Sequence, residues 1–313
     1  MTTLVARKLR IQFGGAIYHV LNRGNYRQDV FGSPGAAMSF TQALAEACEL
    51  FQWRIYAYVL MRNHFHLALQ TPQPNLAEGM HWLQSTYATR FNRLRSERGH
   101  LFQGRYQALL VEDAAALVRV VNYVHLNPVR AKLIDPRQLP EFRWSSLRQF
   151  LMKPRPTWLA AEEWLSQIGL EDTPTGWKHY HEQLVELATN PREQERQEFG
   201  KMTQGWSIGT SGWRKAIAKD HAHLALSAGV SDDALRAIKE SAWTELLEHV
   251  LVRDGKSATE IARDAKSAKW KINAARLLRN KVTASHSWIA EKLNMGTPGS
   301  VRVYLSRIEK INK

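Results

Sequence analysis

The sequence predicts an α+β fold: an antiparallel sheet with helices packed on it, followed by a basic, all-α C-terminal region. Three observations carry this. Between Ile17 and Val111, short runs rich in β-branched and aromatic residues alternate with stretches whose apolar residues recur every three or four positions. From Ser241 to Lys313 only the helical spacing remains. At 313 residues the chain is long enough for two or three domains.

Ile17 to Asn22 (IYHVLN) reads as the first strand, with His19 a packed strand histidine, and Arg23-Gly24-Asn25 as the loop after it. Phe40, Leu44, Ala47, Cys48 and Phe51 fall at helical spacing, and Pro34 suits a first turn. The stretch WRIYAYVLMRNHFHLALQ, Trp53 to Gln70, is two apolar runs joined by Arg62-Asn63, which predicts two adjacent strands. Leu76, Met80, Leu83, Tyr87, Phe91 and Leu94 predict a second helix, Arg105 to Val111 a fourth strand, and Glu112 to Leu126 a third helix with Asp113 as N-cap. Pro128 is expected to stop or bend that helix. The order strand, helix, strand, strand, helix, strand is the ferredoxin-like (RRM-like) arrangement. Its sheet is expected to have one face covered by both helices and one face open.

Composition narrows the function. The net charge is +14 and the pI about 10, which on a soluble chain points to a polyanion, usually nucleic acid. No run of 18 apolar residues suggests a membrane span. MTTLVARKLR lacks an apolar signal core, and one cysteine, Cys48, fits a reducing compartment. The expectation is a cytoplasmic, nucleoid-associated protein.

Within His64 to Leu69 the residues alternate, so Phe65, Leu67 and Leu69 share one face of the strand while His64 and His66 share the other. Two such imidazoles can grip one metal ion, although an H-x-H pair also occurs as two surface polar residues. A third ligand and a nucleophile are needed. Tyr123 and Asn127 lie four apart and project from one side of a helix end. A phenol can attack phosphorus and an amide oxygen can bind metal; equally, the tyrosine can pack on the sheet while the asparagine caps the turn before Pro128. Arg90, Arg93, Arg95, Arg98 and Arg105, interleaved with Phe102 and Tyr106 and opposed by one acid, Glu97, suit single-stranded nucleic acid.

LMRNHFHLAL, GHLFQGRYQALLV and NYVHLNPVRAKL, in this order and spacing, together with LRIQFGGAIYHVLNRGN and FRWSS, resemble the REP-associated branch of the single-tyrosine HUH transposases. The resemblance covers roughly residues 6 to 150. It implies metal-dependent cleavage and joining of single-stranded DNA at hairpin (REP-type) repeats. By resemblance, Tyr123 is the nucleophile that forms a 5′-phosphotyrosine, and His64, His66 and Asn127 are ligands of Mg²⁺ or Mn²⁺; the sequence names no base for the phenol, and His125 is only near it along the chain. Arg62 departs from the pattern, which usually has proline there. Two other readings remain: a catalytically idle protein that binds or regulates DNA hairpins, and a histidine-triad hydrolase. The latter would need a histidine at the position of Ala68.

Three domains are expected: the HUH nuclease domain at 1–135, a basic and helical extension at 136–205, and a helical C-terminal domain at 206–313. In the extension, Thr157 to Ala188 reads as helical. WSIGTSGWRK, Trp206 to Lys215, reads as a linker or a DNA contact. SHSWIAEKLNMGTPGSVRVYLSRI has helix-turn-helix logic, with Val301 to Ile308 as recognition helix and Arg302 and Arg307 as candidate contacts. The expected partner is single-stranded DNA with hairpin structure, with no membrane, bound by a monomer or homodimer.

Overall fold

The computed structural model describes residues 11–220 and 232–311. The chain divides into two compact units, residues 10–213 and the chain from Arg214 onward.

In the first unit β1 (Ala16–Arg23), α1 (Pro34–Phe51), β2 (Arg54–Met61), β3 (His64–Thr71), α2 (Leu76–Arg95) and β4 (Gln107–Val111) follow one another in the expected order. The Ser33 side chain accepts from Ala36 N–H and caps α1, with proline in the first turn. Arg62-Asn63 makes β2 and β3 a tight hairpin, with Met61 opposite His64. The strands lie in the order β2-β3-β1-β4. A fifth strand, β5 (Ser207–Ile208), pairs with β4 in parallel. The sheet is therefore mixed, not purely antiparallel. The segment that supplies β5 was expected to link domains or touch DNA, and two residues are too short for alternation to reveal a strand.

Alternation along the paired strands sorts the two faces. Tyr18, Val20, Phe65, Leu67 and Leu69 are buried on one face, where Phe40 of α1 packs on Phe65 at 5.0 Å between ring centres. His19, Leu21 and Arg23 of β1 share the other face with His64 and His66 of β3. That second face is not open. The helix α3 (Ala114–Arg130) packs across β2 and β3. The physical reason lies in β2: every residue from Ile55 to Met61 is buried, and a strand apolar on both faces needs cover on both.

Asp113 caps α3 through Ala116 N–H at 2.8 Å, as expected. The helix passes Pro128 and ends at Arg130, four residues later than Leu126. Proline forfeits one main-chain bond there, in the last turn. Burial of Val120, Val121 and Val124 in the same helix offsets that loss.

Residues 136–205 belong to this first unit. They form α4 (Ser146–Phe150), α5 (Glu162–Gln167), α6 (Pro174–Ala188) and α7 (Pro191–Arg196). The helical stretch expected from 157 to 188 is thus two helices. The break falls at Gly169, whose φ of 71° a side chain would strain. Phe150, Trp164, Trp177 and Tyr180 stack into a buried aromatic cluster against α3.

The second unit is helical. α8 (Ser211–Asp220) crosses the boundary, and α9 (Asp232–Arg253), α10 (Ala258–Arg263), α11 (Lys269–Val282), α12 (His286–Lys292) and α13 (Pro298–Ile311) follow. Trp243, Leu247, Leu278, Trp288, Ile289, Leu293 and Val301 are among its buried core. A turn with Gly296 at φ 91° joins α12 to α13. Arg302 is exposed. The side chains of Arg307 and Ile308 lie outside the described residues.

Candidate active site

The second sheet face, α3 and the chain after α7 enclose a cavity of about 520 Å³ lined by residues that include His64, His66, Tyr123 and Asn127. Each arrives by local rules. Strand alternation puts both histidines on one face, with ring centres 5.2 Å apart and planes at 85°. The four-residue spacing on α3 brings Tyr123 and Asn127 to one side, and Asn127 Nδ2 donates to the Tyr123 carbonyl at 3.0 Å. The Tyr123 ring stands edge-on to His66, 5.5 Å away. Phe199 packs on Tyr123 at 5.5 Å, and the Arg130 guanidinium lies 4.6 Å over the same ring.

The histidines are held as neutral bases. Burial pushes His64 down to about 4, with the charge of Arg23 adding to it. His66 is driven well below the usual range, first by burial, then by His19, His64, Arg130 and Arg23. His64 Nδ1 lies 2.8 Å from Asn63 Oδ1, which can only accept, so Nδ1 carries the proton and Nε2 keeps its lone pair.

The cavity is lined by Arg23 and Arg105 and by no acid. Two cations, neutral imidazoles and amides make a wall suited to phosphate. As for metal, no cluster of three His, Cys, Asp or Glu side chains is placed to hold an ion among the described residues. The available set is two imidazoles and one amide oxygen. Such a set fits Mg²⁺ or Mn²⁺ when substrate supplies the anionic oxygen.

Residues 13–127 match the family model described as Transposase IS200 like. The similarity to IS200-like transposases is confined to this stretch. The four residues just placed together all fall within it. No curated protein matches the chain. One similar solved structure, a REP-associated tyrosine transposase bound to a REP hairpin, is 16% identical over 47% of this chain and 84% of its own, with a TM-score of 0.39. Another, a candidate transposase from Deinococcus radiodurans R1, is 20% identical over 41% of this chain and 92% of its own, with a TM-score of 0.28.

Other residues predicted from the sequence lie elsewhere. Arg90 is paired with Glu46 of α1 at 2.7 Å, on the far side of the sheet. Arg93, Arg95 and Arg98 are exposed at and beyond the end of α2, with Arg95 paired to Glu97. Of the five, only Arg105 lines the cavity. His125 is not placed to act as base. Its Nδ1 lies 2.9 Å from Tyr180 Oη and its Nε2 2.8 Å from Ser146 Oγ, in the aromatic cluster on the other side of α3. Arg62, in the hairpin turn, pairs with Asp29 at 2.6 Å, and the register beside the histidines is regular.

Sequence reasoning missed Arg23, Arg130, Phe199, Thr203 and the role of His19. Arg23 sits opposite His64 in the β1–β3 register, so its signal was strand pairing. Phe199 and Thr203 are far along the chain and carried no signal.

Proposed function

We propose that this protein is a metal-dependent single-stranded DNA endonuclease and strand transferase that acts on hairpin-bearing DNA through Tyr123. The convergence of Tyr123, His64, His66 and Asn127 on one acid-free, arginine-lined cavity carries this reading. The β-α-β-β-α-β order with strands in the sequence β2-β3-β1-β4 agrees with the ferredoxin-like arrangement expected for such an enzyme.

His64 and His66 would hold the ion through ring nitrogens and Asn127 through its amide oxygen. When bound, Mg²⁺ or Mn²⁺ supplies Lewis-acid polarisation of the scissile phosphate. Arg23 and Arg105 orient the phosphate by charge-assisted hydrogen bonds. Tyr123 Oη forms a bond to phosphorus while the bond from phosphorus to the 3′ oxygen breaks. The phenol proton passes to solvent, and the 3′ oxygen takes up a proton from solvent and leaves as a hydroxyl. The strand's 5′ phosphate stays on the tyrosine, and the reverse step rejoins DNA without ATP because the bond energy is retained. Arg130, 4.6 Å over the Tyr123 ring, holds that ring by a cation–π contact.

The pair α12–α13 is read as a helix-turn-helix for the duplex stem, with Arg302 and Arg307 as contacts. Incubating the protein with an end-labelled single-stranded hairpin and Mn²⁺ tests the core of the proposal. A denaturation-resistant protein–DNA band is expected, and Tyr123→Phe should bind the hairpin but lose the band. An undiminished band in that variant moves the nucleophile elsewhere. Binding without any band in the unaltered protein establishes the idle hairpin binder instead.

A further inference from the structure

His19 is fully buried, and both of its ring nitrogens are engaged. Nδ1 lies 2.8 Å from the Met202 carbonyl oxygen, 183 positions along the chain. Nε2 lies 3.0 Å from His66 Nδ1, and the two rings stack with centres 5.1 Å apart. A carbonyl oxygen only accepts, so His19 Nδ1 carries the proton. In a neutral imidazole the other nitrogen is then a bare acceptor. Both rings are buried and no acid lines the cavity beside them, so neither gains by charging. His66 Nδ1 must therefore donate, and His66 Nε2 is left with its lone pair.

We propose that His19 is a positioning residue: the Met202 carbonyl, acting through His19, locks His66 in the tautomer whose Nε2 is free to bind a divalent ion. This rests on the reading of His66 as a metal ligand. The ion-facing nitrogens of His64 and His66 are then the same atom, Nε2, each fixed from behind by a different partner, Asn63 Oδ1 and His19. Hydrogen-bonded partners of this kind set ring orientation and tautomer in metal sites. The chain from Phe199 to Thr203 is thereby a working part of the site. It supplies the carbonyl that orients His19, the ring that packs on Tyr123 and a wall of the cavity.

The test is nitrogen NMR of the metal-free full chain with ¹⁵N-labelled histidine, followed by Mn²⁺ titration by electron paramagnetic resonance. In the unaltered protein both His19 and His66 should be the Nδ1–H tautomer. His19→Phe keeps a ring but offers no acceptor. It should show mixed tautomers at His66 and a Mn²⁺ Kd about ten- to a hundredfold weaker. His19→Gln, which returns an acceptor oxygen, should restore most of both. An Nε2–H tautomer at His66 in the unaltered protein overturns the proposal, and this measurement stands even if His19→Phe fails to fold. A folded His19→Phe with unchanged tautomer and unchanged Kd overturns it too. If His66 is Nδ1–H but the unaltered protein takes up no Mn²⁺, the relay stands and the metal assignment falls.

Discussion

The sheet unit and the C-terminal helical unit bury different chemistry. Around the sheet, polar groups are buried as linked sets: His19 with His66, and His125 with Tyr180, Ser146 and Asn122. Among the described residues the C-terminal core, from Trp243 to Val301, is apolar apart from Lys271. Its buried polar residue, Lys271, is satisfied by the Ile261 and Asp264 carbonyls at 2.8 and 2.9 Å. Burying polar groups is costly unless each finds a partner. A unit that does so in linked sets carries a constraint beyond stability, and here one of those sets ends at the proposed metal site. The helical unit shows what the same chain does where packing alone decides.

The comparison can be broken most sharply by truncation. A chain ending after Trp213 keeps the whole sheet unit and should retain covalent adduct formation on a good hairpin. A chain ending after Ala188 loses Phe199, Met202 and β5, and its adduct yield on the same substrate should fall at least a hundredfold. Equal yields would mean the extension is dispensable. A chain cut after Lys201, inside the 136–205 extension, would lose the Met202 carbonyl.

Acid should separate the units next. Burial holds His19 and His64 at about 4, His125 at about 3, and His66 well below its ordinary value. Below about pH 6.5 the unfolded chain binds protons that the folded unit refuses. Stability is therefore full above that pH and falls as pH drops toward 4, by up to about 1.4 kcal/mol per pH unit for each histidine. In the helical unit one histidine, His286, is lowered by burial, and the shifted carboxyls of Asp254, Glu260 and Asp264 are depressed, so the carboxyl contributions fade only below about pH 4.5. Hydrogen exchange of the metal-free protein, read peptide by peptide, should show the sheet unit loosening first.

A cavity in the helical core is a smaller perturbation. Leu278→Ala should destabilise that unit by about 2–5 kcal/mol, measured by urea unfolding, and leave cleavage of a stemless substrate unchanged. Smallest of all are the arginines. Arg105→Ala or Arg23→Ala should weaken single-strand binding and lower the slope of log K against log salt by about one each. Arg95→Ala, on an exposed pair away from the cavity, should change the slope by less.

What the sequence revealed follows the range of its signals. Strand alternation placed His64 and His66 on one face, and helical spacing placed Tyr123 beside Asn127, because both rules act over a few residues. His19 was visible as a strand histidine, but its partnership with His66 depends on β1–β3 register, which is a long-range fact. Met202 and Phe199 reach the site across most of the chain, and no period links them to it. Charge spacing does not say which side of a sheet a helix covers, so the sequence did not reveal that Arg90 faces α1 and Glu46. His125 misled through nearness in sequence, since two residues along a helix turn a side chain to nearly the opposite side.

Both long edges of the sheet are covered by late parts of the chain. On β2, Ile55 and Leu60 N–H donate to the Trp158 and Trp144 carbonyls, and Ala160 N–H to the Ile55 carbonyl. On β4, Leu110 N–H donates to Trp206 and β5 lies alongside. Uncovered strand edges template pairing between chains. During synthesis, which proceeds from the N-terminus, the four central strands are complete once Val111 emerges, yet both edges stay bare until residues 144–160 and 206–208 follow. The nascent chain therefore passes through a window of nearly one hundred residues in which it is most prone to aggregate, and slow translation or chaperone shortage within that window should cost yield more than the same stress later.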